Sequence, residues 1–576
     1  MSESKTFRDR QILSDAQAKG RFATGLAFLR LSGPGWLQSA ITLGGGSLAG
    51  ALFLGVIGGT SLLWVQIVAI IAGVIMLSAI SYVTLSTGQR PYGAINQYVN
   101  PVLGVGWILA TILANMIFIL PQFALCFDAL SNNLFPNSFD DSNQSKTIVS
   151  IVLAVVALGI VLLNYRPGVL AKVFDWLLKI IVGLIVVCFV LVVIVLSRNG
   201  QIDWTRTLWG LIPDFRQFSG GISAELQALI ATLPAGAGNY WLENIGSQQR
   251  PIILSAAATA VGINMTFLLP YSMLARGWDR TFRGLAVWDL LTGMAIPFTL
   301  VTGCIVLASS IAFHSKLEEG LRGTDPAVIA ASPGFTDSLQ KVIVDRMKKV
   351  GGQSLPAEIS EEEKRTLIAN FMSTLPEEER VLAMSVVKPD TKSFSRAFVP
   401  LLGEQRANLV FGLGVLGMGF STIVILMLIN GYAIAEVFGD FESPVLRIIG
   451  AVIAVASGSC WFLLWTGASK TYLAVVASSF AVLLLPIAYF AFLLMMNSAA
   501  LMGDQMPRGG KRWCWNICMS ISTLIAIGAA VIGLREKFGS PEGQFVIGGL
   551  VVFLGLVLFG FSAKSNSLPI STKVKR

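Results

Sequence analysis

Few groups in this chain could do chemistry at depth in an apolar environment, and the densest set lies near the N-terminus. From Leu31 to Gly55 the sequence reads LSGPGWLQSAITLGGGSLAGALFLG, apolar throughout but interrupted at its centre by Gly44-Gly45-Gly46-Ser47. Each glycine costs a helix roughly 1 kcal/mol against alanine. Backbone N–H and C=O groups freed inside a bilayer must be satisfied by protein, water or a ligand. A helix broken there predicts backbone that lines a substrate cavity, with carbonyls and a serine hydroxyl as ligands and at least one glycine in a φ/ψ region closed to residues with a Cβ. Other polar groups stand in apolar runs: Asn115, Gln122 and Asp128 near one face of a single stretch, then Ser421 and Thr422. Asp128 falls within two turns of the end of its stretch, which predicts a solvated rim position. Ser421 and Thr422 can bond their own i−4 carbonyls. The lone histidine, His314, at a helix end reads as a surface residue. The six cysteines have no metal-ligand clustering and read as ordinary thiols.

The elements that must position these groups are membrane helices. Of the 576 residues 54% are hydrophobic and 13% charged, and mean hydropathy is +0.71; a soluble domain carries about 25% charged residues. The chain is therefore a polytopic all-α membrane protein. Its net charge of +9 reflects loop topology, not nucleic-acid binding. Residues 1–30 are polar and basic and lack the apolar core of a signal peptide. After the broken first segment, apolar runs of spanning length (about 20 residues) follow at Leu62–Leu85, Val102–Phe127, Ile148–Leu163, Val173–Leu196, Ile252–Leu274 and Leu291–Ala312. Five more follow at Leu409–Ala435, Ile448–Trp465, Leu473–Met496, Trp513–Leu534 and Phe545–Phe561, making about twelve spans.

The stretch Ile222–Ile245 is marginal. Leaving it out places the N-terminus, Arg90, Arg166, Arg276/Arg280/Arg283, Arg508/Lys511/Arg512 and the Lys573/Lys575/Arg576 tail on one side, as the positive-inside rule requires. It is expected to be a loop or re-entrant hairpin, with both termini cytoplasmic and the protein in the cell (inner) membrane. The domain reading is a cytoplasmic segment 1–30, spans one to seven in 31–315, a charged, partly helical extracytoplasmic insertion 316–405, spans eight to twelve in 406–563, and a basic cytoplasmic tail 564–576. Within the insertion, Ser360 with Glu363 fits a capping box ahead of an amphipathic helix.

With the spans laid out, the chain resembles the Nramp family of proton-coupled divalent-metal transporters. Gly33-Pro34-Gly35 stands where that family has Gly-Pro-Gly, and Gly44-Gly45-Gly46-Ser47 occupies the position of its Asp-Pro-Gly-Asn. The similarity continues through Ser61–Val65, Thr87-Gly88, Phe411–Gly414, Gly419–Thr422, Glu436 and Leu483–Ala488. The resemblance implies a LeuT-type fold: two five-helix inverted repeats plus two C-terminal helices, with helices 1 and 6 broken at the midplane. Gly262 is the sixth-span break, followed by Asn264 where the family has an Asn; Leu233-Pro234-Ala235-Gly236 is an alternative alignment. The family's metal ligands fall on Gly44, Ser47, Val261 (or Ala260) and Ser478, so its carboxylate and its soft thioether are both lost. Its acidic pair in helix 3 and its helix-6 histidine are absent too.

The implied substrate-binding set is Gly44, Gly45, Gly46, Ser47, Gly262, Asn264 and Ser478, with none of the family's metal ligands retained. Gln122, Asp128, Ser421, Thr422 and Glu436 are candidates for coupling or gating. Without a carboxylate a dehydrated manganese ion loses its main electrostatic compensation. A partly hydrated cation such as magnesium is the expected cargo of a secondary transporter working by alternating access, and the glycines leave room for something larger. The alternatives are a sodium-coupled carrier of a small polar organic solute, or a non-transporting membrane sensor or assembly subunit. No enzyme motif stands in a workable context, no cofactor is called for, and the expected partners are the lipid bilayer and the transported ion or small solute.

Overall fold

A computed structural model describes residues 2–566, except 137, 166–168, 357–359, 466–468, 539 and 540. Arg166 and the Lys573/Lys575/Arg576 tail lie outside the described residues. Nine helical runs are long and apolar enough to cross a membrane, and two shorter apolar helices lie at Pro444–Ser459 and Val546–Ser562. The run Gly45–Thr87 has 43 residues, about 65 Å at 1.5 Å per residue and twice a bilayer's hydrocarbon core of about 30 Å. It turns at Gly59, whose φ of 60° is in the left-handed region that glycine tolerates best. The run thus holds the second half of span 1 and all of span 2. With the two shorter helices the total among the described residues is twelve spans.

Two spans are broken, and the breaks share one backbone form. Helix Pro34–Thr42 ends at Leu43, and Gly44 (φ −93°, ψ 178°) starts Gly45–Gly58. Helix Ala235–Ala260 ends at Val261, and Gly262 (φ −88°, ψ 165°) starts Ile263–Ala275. Both glycines are in extended backbone that any residue adopts, so the expectation of a glycine-only conformation does not hold. Glycine is required by closeness instead. A Cβ on Gly44 would fall on Thr422 Oγ1, one on Gly45 on Leu125 Cδ1, and one on Gly46 would lie 2.7 Å from Thr259 Cγ2.

The stretch 222–245 is neither a loop throughout nor a re-entrant hairpin. Ala224–Ala231 is a short helix, and Ala235–Ala260 runs unbroken into the sixth span. Its first turns read as marginal on hydropathy because they pack on the insertion. Tyr240 donates to Asp345 (2.9 Å), and Trp241 Nε1–H donates to Glu379 (3.0 Å), which also pairs with Arg346 at 2.6 Å. The insertion carries helices at Pro326–Ala331, Asp337–Gly351, Glu361–Thr374, Glu377–Ser385 and Thr391–Leu402. The Ser360–Glu363 capping box is formed. The side of the molecule bearing this segment is called the insertion face below, and the opposite side the N-terminal face.

Candidate functional site

The two breaks lie against each other in the middle of the bundle. Span 1 packs on both halves of span 6, and spans 3, 8 and 10 close around them. Most groups freed by the breaks find partners. Gly45 N–H donates to Gln122 Oε1 (2.9 Å), and Gln122 Nε2 donates to Phe118 O (3.0 Å), so Gln122 ties the first break to span 3. Ser47 Oγ–H reaches Thr42 O (2.5 Å) and Thr259 O (3.2 Å), joining both sides of its own break to the sixth span. From span 8, Ser421 Oγ donates to Ala40 O (3.0 Å). Thr422 Oγ1 lies between Met418 O (2.9 Å) and Ala40 O (3.4 Å). Asn264 Oδ1 accepts from Met265 N (2.9 Å) in the first turn after Gly262.

A cavity of about 30 Å³ remains, bordered by Gly44, Gly46, Ser47, Gln122, Gly262, Asn264, Met265 and Thr422. That is room for about one or two waters. The glycines therefore do not open space for a larger substrate: neighbouring helices have moved in to where side chains would have been. Gly45 faces span 3, away from the cavity. Ser478 Oγ sits in span 10, buried and 3.4 Å from where a Gly46 Cβ would be, with no hydrogen-bond partner among the described residues. Ser421 holds Ala40 and does not border the cavity.

Met265 and Thr259 border the cavity and are not among the candidates read from the sequence. The thioether lost at the aligned position returns at Met265, whose sulfur lies 3.5 Å from the Thr42 hydroxyl. Its place in the first turn after the break, beside Asn264, was the available signal. Among the described residues, no group of three or more His, Cys, Asp or Glu side chains could hold a metal ion.

Asp128 and Glu436 lie at opposite ends of the bundle, and Asp128 is not where its position in sequence indicated. Asp128 is not a solvated rim carboxylate but is 1% exposed beneath the insertion. It accepts from Thr391 N–H (3.2 Å) and hydroxyl (2.7 Å) and from Asn132 Nδ2 (2.5 Å), with Lys470 Nζ at 3.8 Å. Lys470 also pairs with Asp141 at 2.9 Å. Glu436 is 8% exposed on the N-terminal face and pairs with Arg90 at 2.8 Å. The Arg90 and Arg447 guanidiniums both lie on the Phe441 ring, 4.7 and 4.8 Å from its centroid, so the contact ties span 8 to the loops beside it.

His314 is 6% exposed, not a surface residue. Its Nδ1 lies 2.9 Å from the Val56 carbonyl, which can only accept, so Nδ1 carries the proton. Its Nε2 meets Ser223 Oγ at 3.1 Å and Glu225 at 3.7 Å, and Arg206 pairs with Glu225 from the other side.

The Glu225 cluster lies outside the spans and gives a pH prediction. The His314 ring, when Nε2 carries a proton as well as Nδ1, together with Arg206 holds the Glu225 carboxyl down to about 2 from its ordinary 4.5. A depressed carboxyl stabilises the fold fully above its unfolded value and loses that contribution as pH falls through the folded one. Glu225→Gln should therefore flatten the loss of thermal stability between pH 4.5 and about 2. Superimposable acid profiles for the parent and the variant would contradict this.

Comparisons with known proteins agree with the geometry. The family model "Natural resistance-associated macrophage protein-like" (Nramp) matches residues 35–333 and 379–534. No curated protein matches the chain. Among solved structures, the Eremococcus coleocola manganese transporter bound to an aromatic bis-isothiourea compound aligns over 94% of each chain, at 17% identity and a TM-score of 0.53. Two single-substitution variants of that transporter align over 93% of this chain and 94% of theirs, with the same identity and score. Twelve spans, paired breaks in spans 1 and 6, and a match over most of the length lead to one assignment: this chain belongs to the Nramp family and has its LeuT-type fold.

Proposed function

We propose that the protein is a secondary transporter that carries a divalent cation by alternating access, holding it between the two helix breaks. The observation that carries this reading is a small cavity between the two breaks whose lining offers neutral oxygen donors and one thioether. Ser47, Asn264, Thr422 and the carbonyls next to Gly44 and Gly262 would supply the oxygens, and Met265 the sulfur. With no carboxylate to offset desolvation, the ion keeps part of its water, which suits magnesium, an ion that dehydrates reluctantly. The thioether favours softer transition ions such as manganese, so Met265 would set the balance between the two. The similar Eremococcus coleocola protein is a manganese transporter. The cavity lining has no histidine or carboxylate, so the reading includes no proton step there. The basic residues gathered on the N-terminal face support a cytoplasmic N-terminus by the positive-inside rule.

The test is uptake by purified protein in vesicles. Saturable magnesium or manganese uptake is expected, and Met265→Leu should lower manganese relative to magnesium by about tenfold, a change of about 1.4 kcal/mol in selectivity. Absence of uptake of either ion would overturn the reading. Sodium coupling is the second reading, favoured by the convergence of Ser421 and Thr422 on the Ala40 carbonyl. A sodium gradient that accelerates uptake, and loses that effect in Ser421→Ala, would support it.

A further inference from the structure

We propose that the permeation path continues from the cavity toward the N-terminal face through a second station, where the carboxamides of Gln38 and Asn115 hold a hydrated divalent cation through its water. This rests on the cation-transport reading above. Both residues are 0% exposed, and in both the amide nitrogen and the amide oxygen lack a hydrogen-bond partner among the described residues. A carboxamide has two N–H donors and an oxygen with two lone pairs. Leaving all of them unmade in a membrane-embedded core is costly. Gln122 shows the contrast. It lies two turns beyond Asn115 on the same helix, and both ends of its amide are satisfied, by Gly45 N–H and Phe118 O.

Each amide stands one helix turn before a residue that borders the cavity. Gln38 lies one turn before Ile41 and Thr42 in the first half of span 1. Ile41 borders the cavity and the Thr42 hydroxyl meets Met265. Asn115 lies one turn before Phe118, on the face of span 3 that also bears Trp107. Phe118 borders the cavity and approaches Gly262, while Trp107 Nε1–H donates to Thr266 (3.1 Å). Asn115 is thus bracketed by contacts to the start of Ile263–Ala275. Both residues are N-terminal to the cavity in spans that run from the N-terminal face to the insertion face, so both lie on the N-terminal side of it. Neutral amide oxygens suit an ion that keeps its water. Having no charge, they would hold it weakly enough to let it go.

Cysteine accessibility in the full-length protein tests this. Gln38→Cys and Asn115→Cys, in vesicles, should react with 2-aminoethyl methanethiosulfonate at least about tenfold faster than Ile119→Cys, because a thiol must meet water to ionise and react. The unsubstituted protein, labelled in parallel, gives the background from native thiols. Added magnesium or manganese should slow both reactions. Rates equal to the Ile119→Cys control, or rates that neither ion changes, would overturn the proposal. In a second arm, Gln38→Leu and Asn115→Leu should fold as well as the parent, since each removes unpaired polar atoms, yet cut cation uptake by about tenfold. Parental uptake in these variants would overturn the proposal, and so would failure to fold, because the amides would then be making bonds the fold needs. If the parent protein moves no cation at all, the transport reading fails by itself, while the labelling rates still decide whether water reaches Gln38 and Asn115.

Discussion

Asp128→Ala should lower the stability of the folded protein by about 3–5 kcal/mol, the range for removing one member of a buried charged cluster. The carboxylate is the point where span 3, span 10 and the insertion meet. Thr391 donates to it twice from the start of helix Thr391–Leu402, and Lys470 faces it from just before Tyr472–Ala481. Removing it strands the Thr391 N–H and hydroxyl and leaves the partly buried Lys470 with Asp141, which is largely exposed, as its ion-pair partner. Asp128→Asn keeps an acceptor for Thr391 but not the charge, so it should lose less, about 1–3 kcal/mol. The measurement is thermal unfolding in detergent together with hydrogen exchange, where protection across Thr391–Leu402 should fall first. Unchanged unfolding temperature and exchange in Asp128→Ala would show that the cluster is incidental to holding the insertion down.

Asp289→Ala should be comparably severe but on the opposite face. In sequence Asp289 reads as the start of its own helix, but the helix begins at Arg283. Its carboxylate instead caps the first half of span 1: it accepts from the Ser32 hydroxyl and from the backbone N–H of Gly33 (3.1 Å) and Gly35 (2.6 Å). Those N–H groups stand at the start of Pro34–Thr42, where a helix has unsatisfied donors and favours a negative charge. Hydrogen bonds to a charged group contribute about 1.5–3 kcal/mol each, so losing these three should cost at least about 4 kcal/mol. It should also loosen the half-helix that leads to the Gly44 break. The contact is tight, because a Cβ on Gly35 would fall on the Asp289 carbonyl. Gly35→Ala should therefore reproduce the defect while keeping the carboxyl group in the chain, because its Cβ would displace Asp289, lying 2.9 Å from the carboxyl carbon as well. If Asp289→Ala unfolds at the parental temperature while Gly35→Ala does not, close packing and not the cap holds the half-helix.

The sequence by itself determined the features that depend on near neighbours in the chain. Apolar runs of spanning length marked most of the helices, and Gly44 and Gly262 marked the two breaks, because glycines in an apolar run weaken a helix wherever they occur. The Ser360–Glu363 capping box was equally legible, since both partners lie within one turn. What only the tertiary structure decided depends on residues far apart in sequence. Asp128 is buried because Thr391, 263 positions away, folds down onto it. His314 is buried because Val56 and Ser223 close around it. The first turns of the sixth span are too polar to read as helix on hydropathy because their partners, Asp345 and Glu379, lie in the insertion. The glycines of the first break were identified correctly but for the wrong reason: their backbone angles are ordinary, and it is Thr422, Leu125 and Thr259 that leave no room for a Cβ. Likewise Met265 borders the cavity from the helix that follows the Gly262 break, a placement set by how the two halves of the sixth span pack and not by alignment.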